Sequence, residues 1–328
     1  MTCEAIKARR NGFVIVVVLC IVILMTAMVL GFNRRTQMTL RAAESFTNSR
    51  RARACALAGL NLAIAAVKNN PSASSETSSD TLLGRPINFE LDDVPCTVTL
   101  AEETGKININ FLKTPNGQEN RAAIDQLLRL IELLNRHRPE KPITYDIVPS
   151  IIDWTDTDEH VTCLPFVKNH NLGAESDYYT ALSPPYKTAN TPFDSIDQLL
   201  LVKGVTPEAF EMLKPFLTVY GDGAININTA PSLVLESMSE KMDPALAKLI
   251  IERRDIKPYQ SVEELRSLPA MTDEIYLTIS RTATVRPTAP CYQVVSRATA
   301  GRASVTIASV LKPDSQTGAV EVLSYKEL

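Results

Sequence analysis

The chain has 328 residues, enough for two ordinary domains or for one domain carrying a large insertion. Hydrophobic residues make up 45% and charged residues 22%, a globular balance, and a formal net charge of -3 argues against the basic face that nucleic-acid phosphates require. The six cysteines (Cys3, Cys20, Cys55, Cys96, Cys163, Cys291) show no CxxC spacing, which argues against zinc ribbons and thioredoxin-type redox chemistry. Cys3 and Cys20 fall in the N-terminal segment. The other four are either buried thiols or include one disulfide, and the sequence leaves a Cys96–Cys291 pairing open.

From Phe13 to Phe32 no residue is charged. About twenty residues at about 1.5 Å each span about 30 Å, the thickness of a bilayer's hydrocarbon core. A cleavable secretory signal would be shorter and followed by an A-x-A-like site, so the run is expected to cross a membrane. Lys7, Arg9 and Arg10 precede it and Arg34, Arg35 and Arg41 follow, so flanking charge alone does not orient it. Helix formers continue from residue 33 to 70, with Leu57, Leu60, Ile64 and Val67 spaced as one apolar stripe. Pro71 stops the helix. Residues 13–68 would form one rod of about 84 Å, or an anchor followed by a separate stalk helix.

The junction Arg10-Asn11-Gly12-Phe13 resembles the prepilin-peptidase site of type IV pilins and type II secretion pseudopilins. The resemblance implies a leader over residues 1–12, cleavage after Gly12 on the cytoplasmic side and methylation of the new N-terminal Phe13. Most pilins carry a glutamate at the fifth mature position, which here is Val17. A carboxylate in lipid is costly and needs a partner, in that family a neighbouring subunit's N-terminal amine. Lacking it marks the K type among pseudopilins.

Residues 71–80 form a polar, Ser-rich loop. Alternating segments at 87–90, 96–100 and 106–110 read as strands, as do 292–296, 304–310 and 319–323 near the other end. Between them helical periodicity dominates: Ile124, Leu127, Leu128, Ile131 and Leu134 share a face, and 199–203, 207–216, 244–254 and 262–268 suggest short helices. The two β-rich stretches must meet, since neither is large enough alone. Gly105-Lys-Ile-Asn-Ile-Asn110 returns as Gly223-Ala-Ile-Asn-Ile-Asn228, either a repeat or two similar turn solutions. After the second copy, Thr229 is the expected cap of a helix with Pro231 in its first turn.

Asp153-Trp154-Thr-Asp156-Thr-Asp158, Gly173-Ala-Glu175-Ser-Asp177, Pro184-Pro185-Tyr186, Leu199-Leu-Leu-Val-Lys203-Gly204 and Ile225-Asn-Ile-Asn-Thr-Ala-Pro231 occur in this order. That succession is similar to the K-type minor pseudopilins of type II secretion. The resemblance implies an α+β fold in which a long transmembrane helix packs on a pilin-like antiparallel sheet. Residues 71–110 and 282–328 would form the pilin-like domain. Residues 111–281 would be an all-helical insertion of SAM-like or helix-hairpin-helix-like character. The bulk of the chain would lie in the periplasm, anchored once in the inner membrane. It would act without catalysis at the pseudopilus tip, starting or capping assembly for export of folded proteins across the outer membrane. Implied partners are the I-type and J-type minor pseudopilins, the major pseudopilin, prepilin peptidase and the inner-membrane assembly platform. A membrane-anchored helix-hairpin-helix DNA-uptake protein and a type IV pilus minor pilin are the competing readings. The turn Glu240-Lys-Met-Asp-Pro244 has two acids and no glycine, which argues against phosphate binding.

Asp153, Asp156 and Asp158, with Glu175 and Asp177 across a loop, offer oxygens of the kind that hold hard cations. The spacing is not that of an EF-hand, and by spacing alone the five fit a solvated acidic loop equally well. The resemblance implies calcium. His160, Cys163 and His170 match no zinc pattern and lack a fourth ligand. Trp154 is expected to anchor its loop in the core, and His137, between Arg136 and Arg138, to be solvated.

Overall fold

A computed structural model describes residues 4–69, 83–114, 116–285, 289–314 and 317–328, with only the backbone course given for 4–12. The Ser-rich loop at 71–80, Pro71 and Cys3 lie outside these residues. A single helix, α1 (Glu4–Asn69), runs through both the apolar run and the stalk without a break. It therefore starts inside the expected leader. Its apolar part reaches a mean hydropathy of 3.3 and is wholly exposed, as a lipid-facing span requires.

Strands β1 (Ile87–Leu91) and β2 (Val94–Glu102) follow α1 as a hairpin. Then come β3 (Ile107–Asn108), α2 (Arg121–His137), α3 (Ile147–Thr155), α4 (Ser176–Thr180), α5 (Pro207–Leu213) and β4 (Leu217–Thr218). After these the chain forms β5 (Ile225–Asn226), α6 (Ser232–Ser237), α7 (Pro244–Ile256), α8 (Asp273–Ile279) and β6 (Ala283–Thr284). Finally β7 (Tyr292–Ala300), β8 (Ala303–Pro313) and β9 (Val320–Glu327) complete an antiparallel sheet of order β1-β2-β7-β8-β9. The N- and C-terminal strands thus meet at β2–β7, as the need for a shared core demands.

Strand β2 alternates buried and exposed along its whole length, turning Val94, Cys96, Val98 and Leu100 to α1. The helix answers with small residues. Ala52, Cys55, Ala56, Gly59, Leu60, Ala63 and Val67 are its buried line, while Leu57 and Ile64, expected on the stripe, only flank it. At Gly59 a Cβ would stand 2.3 Å from Ser296 Oγ and 2.7 Å from Val98 Cγ2, so glycine is what lets helix and sheet approach so closely. Cys96 and Cys291 do not face each other. Cys291 adjoins Tyr292, which pairs with Glu102, six residues along β2 from Cys96 and so about 20 Å away, beyond disulfide reach.

Two departures concern the ends of the helical region. The expected strand at 106–110 is only two residues long and leaves the main sheet to pair in parallel with β4. Ala283–Thr284 likewise pairs in parallel with β5. The helical head therefore opens before residue 111 and closes after 281.

Those two small ladders mark a duplication. In the first unit Asn108 Oδ1 accepts from Asn110 N–H, and in the second Asn226 Oδ1 accepts from Asn228 N–H. Asn110 then clamps the backbone of Phe193, accepting from its N–H and donating to its carbonyl, and Asn228 does the same to Tyr259. From those clamps onward the units match at a constant offset: a serine (Ser195, Ser261) before a 3-10 turn with a buried leucine (Leu199, Leu265), then a threonine capping a helix (Thr206 on α5, Thr272 on α8). The echoed motif is thus the start of each of two related units. Thr229 does not cap α6, since its hydroxyl turns back to the Asn226 carbonyl and Pro231 occupies the cap position. In the second unit the half-buried Arg254 donates to the carbonyls of Ile227 and Ala230. Replacing Asn228 by alanine is expected to cost about 3 kcal/mol, because it strands both backbone groups of buried Tyr259. Chemical denaturation compared with Asn110→Ala would show matching losses.

The head sits at the membrane-distal end of the stem. The β7–β8 turn at Gly301 lies against Asn48, and farther along α1 Ser296 donates to the Ala56 carbonyl. Continuing in the same direction, the strands reach Glu102 and Tyr292, where the chain leaves and re-enters the sheet. The joint is closed by Glu103 N–H donating to the Cys291 carbonyl and by buried Glu102, whose two carboxylate oxygens accept from Asn226 Nδ2 at 3.1 and 3.0 Å. Burial pushes the Glu102 carboxyl above its usual range.

Candidate functional site

Helix α3 is apolar nearly all round and buried, which is why its carboxylates end up inside the head: Asp153 is fully buried and Asp156, just past the helix end, is 9% exposed. Trp154 between them packs edge-on to Tyr179 and Tyr186 and stacks on Phe193, the core anchor expected of it. The following loop returns over α3. Thr162 N–H donates to both oxygens of Asp153, at 2.9 and 3.2 Å, and Gly173 N–H donates to the Thr162 carbonyl. This fold-back brings in Glu175, the residue before α4.

Ligand oxygens of Asp153, Asp156 and Glu175 all lie within 4.8 Å of one another. Both oxygens of Glu175 and Oδ1 of Asp156 are buried without a hydrogen-bond partner. Lys113 Nζ pairs with the other Asp156 oxygen. Fully ionised, three carboxylates against one ammonium would carry a net double negative charge out of water, which a divalent hard cation would match. Asp158 and Asp177 are placed differently. Asp158 is half exposed and held below the usual carboxylate range, chiefly by the His160 N–H it accepts. Asp177 is exposed in the first turn of α4. His160, Cys163 and His170 are all exposed, and no metal-type grouping forms from them among the described residues. His137 is solvated. Lys113 was not visible as a member of the site from the sequence, lying 40 residues before Asp153 on the turn after β3.

Burial and the negative charges of Asp153 and Asp156 push Glu175 up to about 8, and burial raises Asp153 and Asp156 as well. Without metal, the folded chain therefore keeps a proton on Glu175 that the unfolded chain releases near 4.5. The folded state binds more protons between those values, so its stability falls as pH rises from about 4.5 to about 8. Melting curves in chelator, on the detergent-solubilised chain at pH 5 and 8, are expected to show the lower midpoint at pH 8. A flat or rising profile would contradict the burial of an unpaired carboxyl.

At the other end of the molecule, Phe13 and Val17 lie on the exposed apolar stretch of α1, and Gly12 precedes them within the same helix. Val17 brings no charge into the span.

Two family models match the chain, over residues 105–222 and 225–285, both described as type II secretion system protein K, and together they cover more than half of it. Their shared border falls between the two duplicated units. Type II secretion system protein K of Pseudomonas aeruginosa is 27% identical over 267 residues, covering 79% of this chain and 76% of that protein. Its namesake in Pectobacterium carotovorum is 26% identical, covering 79% and 80% respectively. A solved structure described as the GspK-GspI-GspJ complex from the enterotoxigenic Escherichia coli type 2 secretion system superposes with a TM-score of 0.64 at 22% identity. That match covers 90% of this chain and 99% of that one.

Proposed function

Since the chain belongs to the type II secretion system protein K family of minor pseudopilins, we propose that it occupies the tip of the pseudopilus, where it starts or caps assembly. The observation that carries this reading is the head at the membrane-distal end of the stem, standing where a pilin-like subunit above would have to pack. Val17 supports it, because a subunit without an intramembrane carboxylate has no ion pair to offer a neighbour's N-terminus. The I-type and J-type minor pseudopilins are the proposed direct partners, since the related structure is a complex with GspI and GspJ. The major pseudopilin, prepilin peptidase and the inner-membrane assembly platform are the proposed wider contacts, with the head in the periplasm and folded proteins as cargo. No catalytic role is proposed. Neither is nucleic-acid binding: Glu208, Asp273 and Glu274 occupy the first turns of α5 and α8, where they repel phosphate.

The test uses a headless chain in which residues 103–291 are replaced by a short turn, joining β2 to β7 where Glu103 and Cys291 already bond. Immunogold labelling of extended pseudopili is expected to mark one end with the full chain and the shaft with the headless one. Full-length label along the shaft would overturn the tip assignment.

We further propose that Asp153, Asp156 and Glu175 hold calcium, which would neutralise the cluster and tie the loop at 156–175 to α3. Calorimetry of the solubilised chain should show calcium binding weakened at least about tenfold by Glu175→Gln, which removes one of three anionic ligands. No heat, and no change of melting with chelator, would remove the ion.

A further inference from the structure

The interface between α1 and β2 holds two cysteines that the assembly reading does not use. Cys55 is 1% and Cys96 2% exposed. Three contacts bring the Cys96 sulfur onto the helix turn that carries Cys55. Cys96 Sγ is 3.4 Å from Ser296 Oγ, and that hydroxyl donates to the carbonyl of Ala56, the residue after Cys55. Gly59, one turn on along the same helix face, leaves room for the sulfur: a Cβ there would stand 3.1 Å from Cys96 Sγ. From the helix side, Cys55 Sγ reaches the Val94 carbonyl at 3.3 Å, two residues from Cys96 on the same face of β2. The two thiols are also close enough to act on each other electrostatically, which adds to the rise that burial imposes on the Cys55 thiol.

We infer that Cys55 and Cys96 are joined by a disulfide in the exported chain, stapling the stalk helix to the second strand of the sheet. The inference rests on the export-side placement proposed above, because such bonds persist only in an oxidising compartment. The oxidant is a dithiol–disulfide exchange protein of that compartment. One cysteine thiolate attacks its disulfide, giving a mixed disulfide and one freed thiolate. The second cysteine thiolate then attacks the mixed disulfide, closing the Cys55–Cys96 bond and releasing the oxidant as a dithiol. Two electrons pass to the oxidant, and the two cysteine protons balance its two new thiols. The exchange belongs to the stage before α1 seats on the sheet, since both sulfurs are out of solvent afterwards. The bond closes a long loop between helix and strand, the situation in which a cross-link restrains the unfolded chain most. It would also resist peeling of α1 from the sheet when force is applied along the filament.

The experiment uses the full chain in its native membrane. Spheroplasts are treated with a membrane-impermeant maleimide, quenched in acid, denatured and digested without reduction, and the peptides are weighed. Exposed Cys163 reports the compartment. The expected result is labelled Cys163 together with a linked Cys55–Cys96 peptide in most of the protein. Labelled Cys163 with Cys55 and Cys96 recovered as separate thiols would overturn the staple while leaving the export-side reading intact. Cys163 unlabelled until the inner membrane is breached would overturn both. Cys55→Ser is expected to lower the apparent melting temperature of the oxidised chain by about 5 °C or more, and dithiothreitol to erase the difference from wild type.

Discussion

Changing Gly173 to alanine is expected to remove at least about 3 kcal/mol of stability from the head and, with it, the proposed response to calcium. The reason is space and not backbone freedom. A Cβ at Gly173 would lie 2.1 Å from Asp153 Oδ2 and 2.8 Å from both Asp153 Cγ and the Pro149 carbonyl. The side-chain oxygen can retreat only by abandoning Thr162 N–H and the other carboxylates, and the carbonyl belongs to α3 and cannot retreat at all. The loop must lift instead, taking Glu175 away from Asp153 and Asp156. Thermal denaturation in calcium and in chelator measures both parts: a midpoint lower by about 5–10 °C, and two curves that no longer separate. A variant within about 1 kcal/mol of wild type would mean the loop yields freely, and the packing described for it would be wrong.

Gly12→Leu is expected to leave the leader attached and to reduce secretion at least about tenfold. Gly12 and Phe13 lie within the unbroken helix α1, so a protease acting between them must first open a helical turn. Glycine makes that opening easier by about 1 kcal/mol relative to alanine, and leucine removes this help while adding a bulky side chain at the proposed cleavage point. Intact-mass measurement distinguishes a chain beginning at Met1 from one beginning at a methylated Phe13. A shortened, methylated Gly12→Leu chain with normal secretion would end the processing reading.

Much of the stem and one helix of the head could be read from sequence because their cues are local. The uncharged run at 13–32, the alternation in β2 and the helical face of α2 each state their partner surface within a few residues. What sequence misjudged depended on contacts between distant segments. Lys106–Asn110 alternates like a strand, yet its isoleucines enter the core of the head because β4, more than 100 residues later, captures it. The buried face of α1 was found only in part: Leu60 and Val67 are buried as expected, but close packing also selected Ala52, Ala56, Gly59 and Ala63, which a search for large apolar residues passes over. Helix α3 is only nine residues long and buried on nearly every side, so its sequence marks no solvent-facing side. Of five candidate acids, three converge. Asp158 and Asp177 are separated from them by turns of the loop that spacing cannot resolve, and Lys113 enters only through tertiary folding.

The duplicated units handle charge withdrawn from water in unlike ways: the first holds buried carboxylates, the second a half-buried guanidinium. In one, the proposed calcium would have to come from the surrounding medium to offset the carboxylates of Asp153, Asp156 and Glu175. In the other, the guanidinium of Arg254 is part of the polypeptide and grips two carbonyls permanently. On the calcium proposal, scarcity of divalent ions around the head would therefore slacken one half of it and spare its twin, giving the particle a soft side and a rigid side.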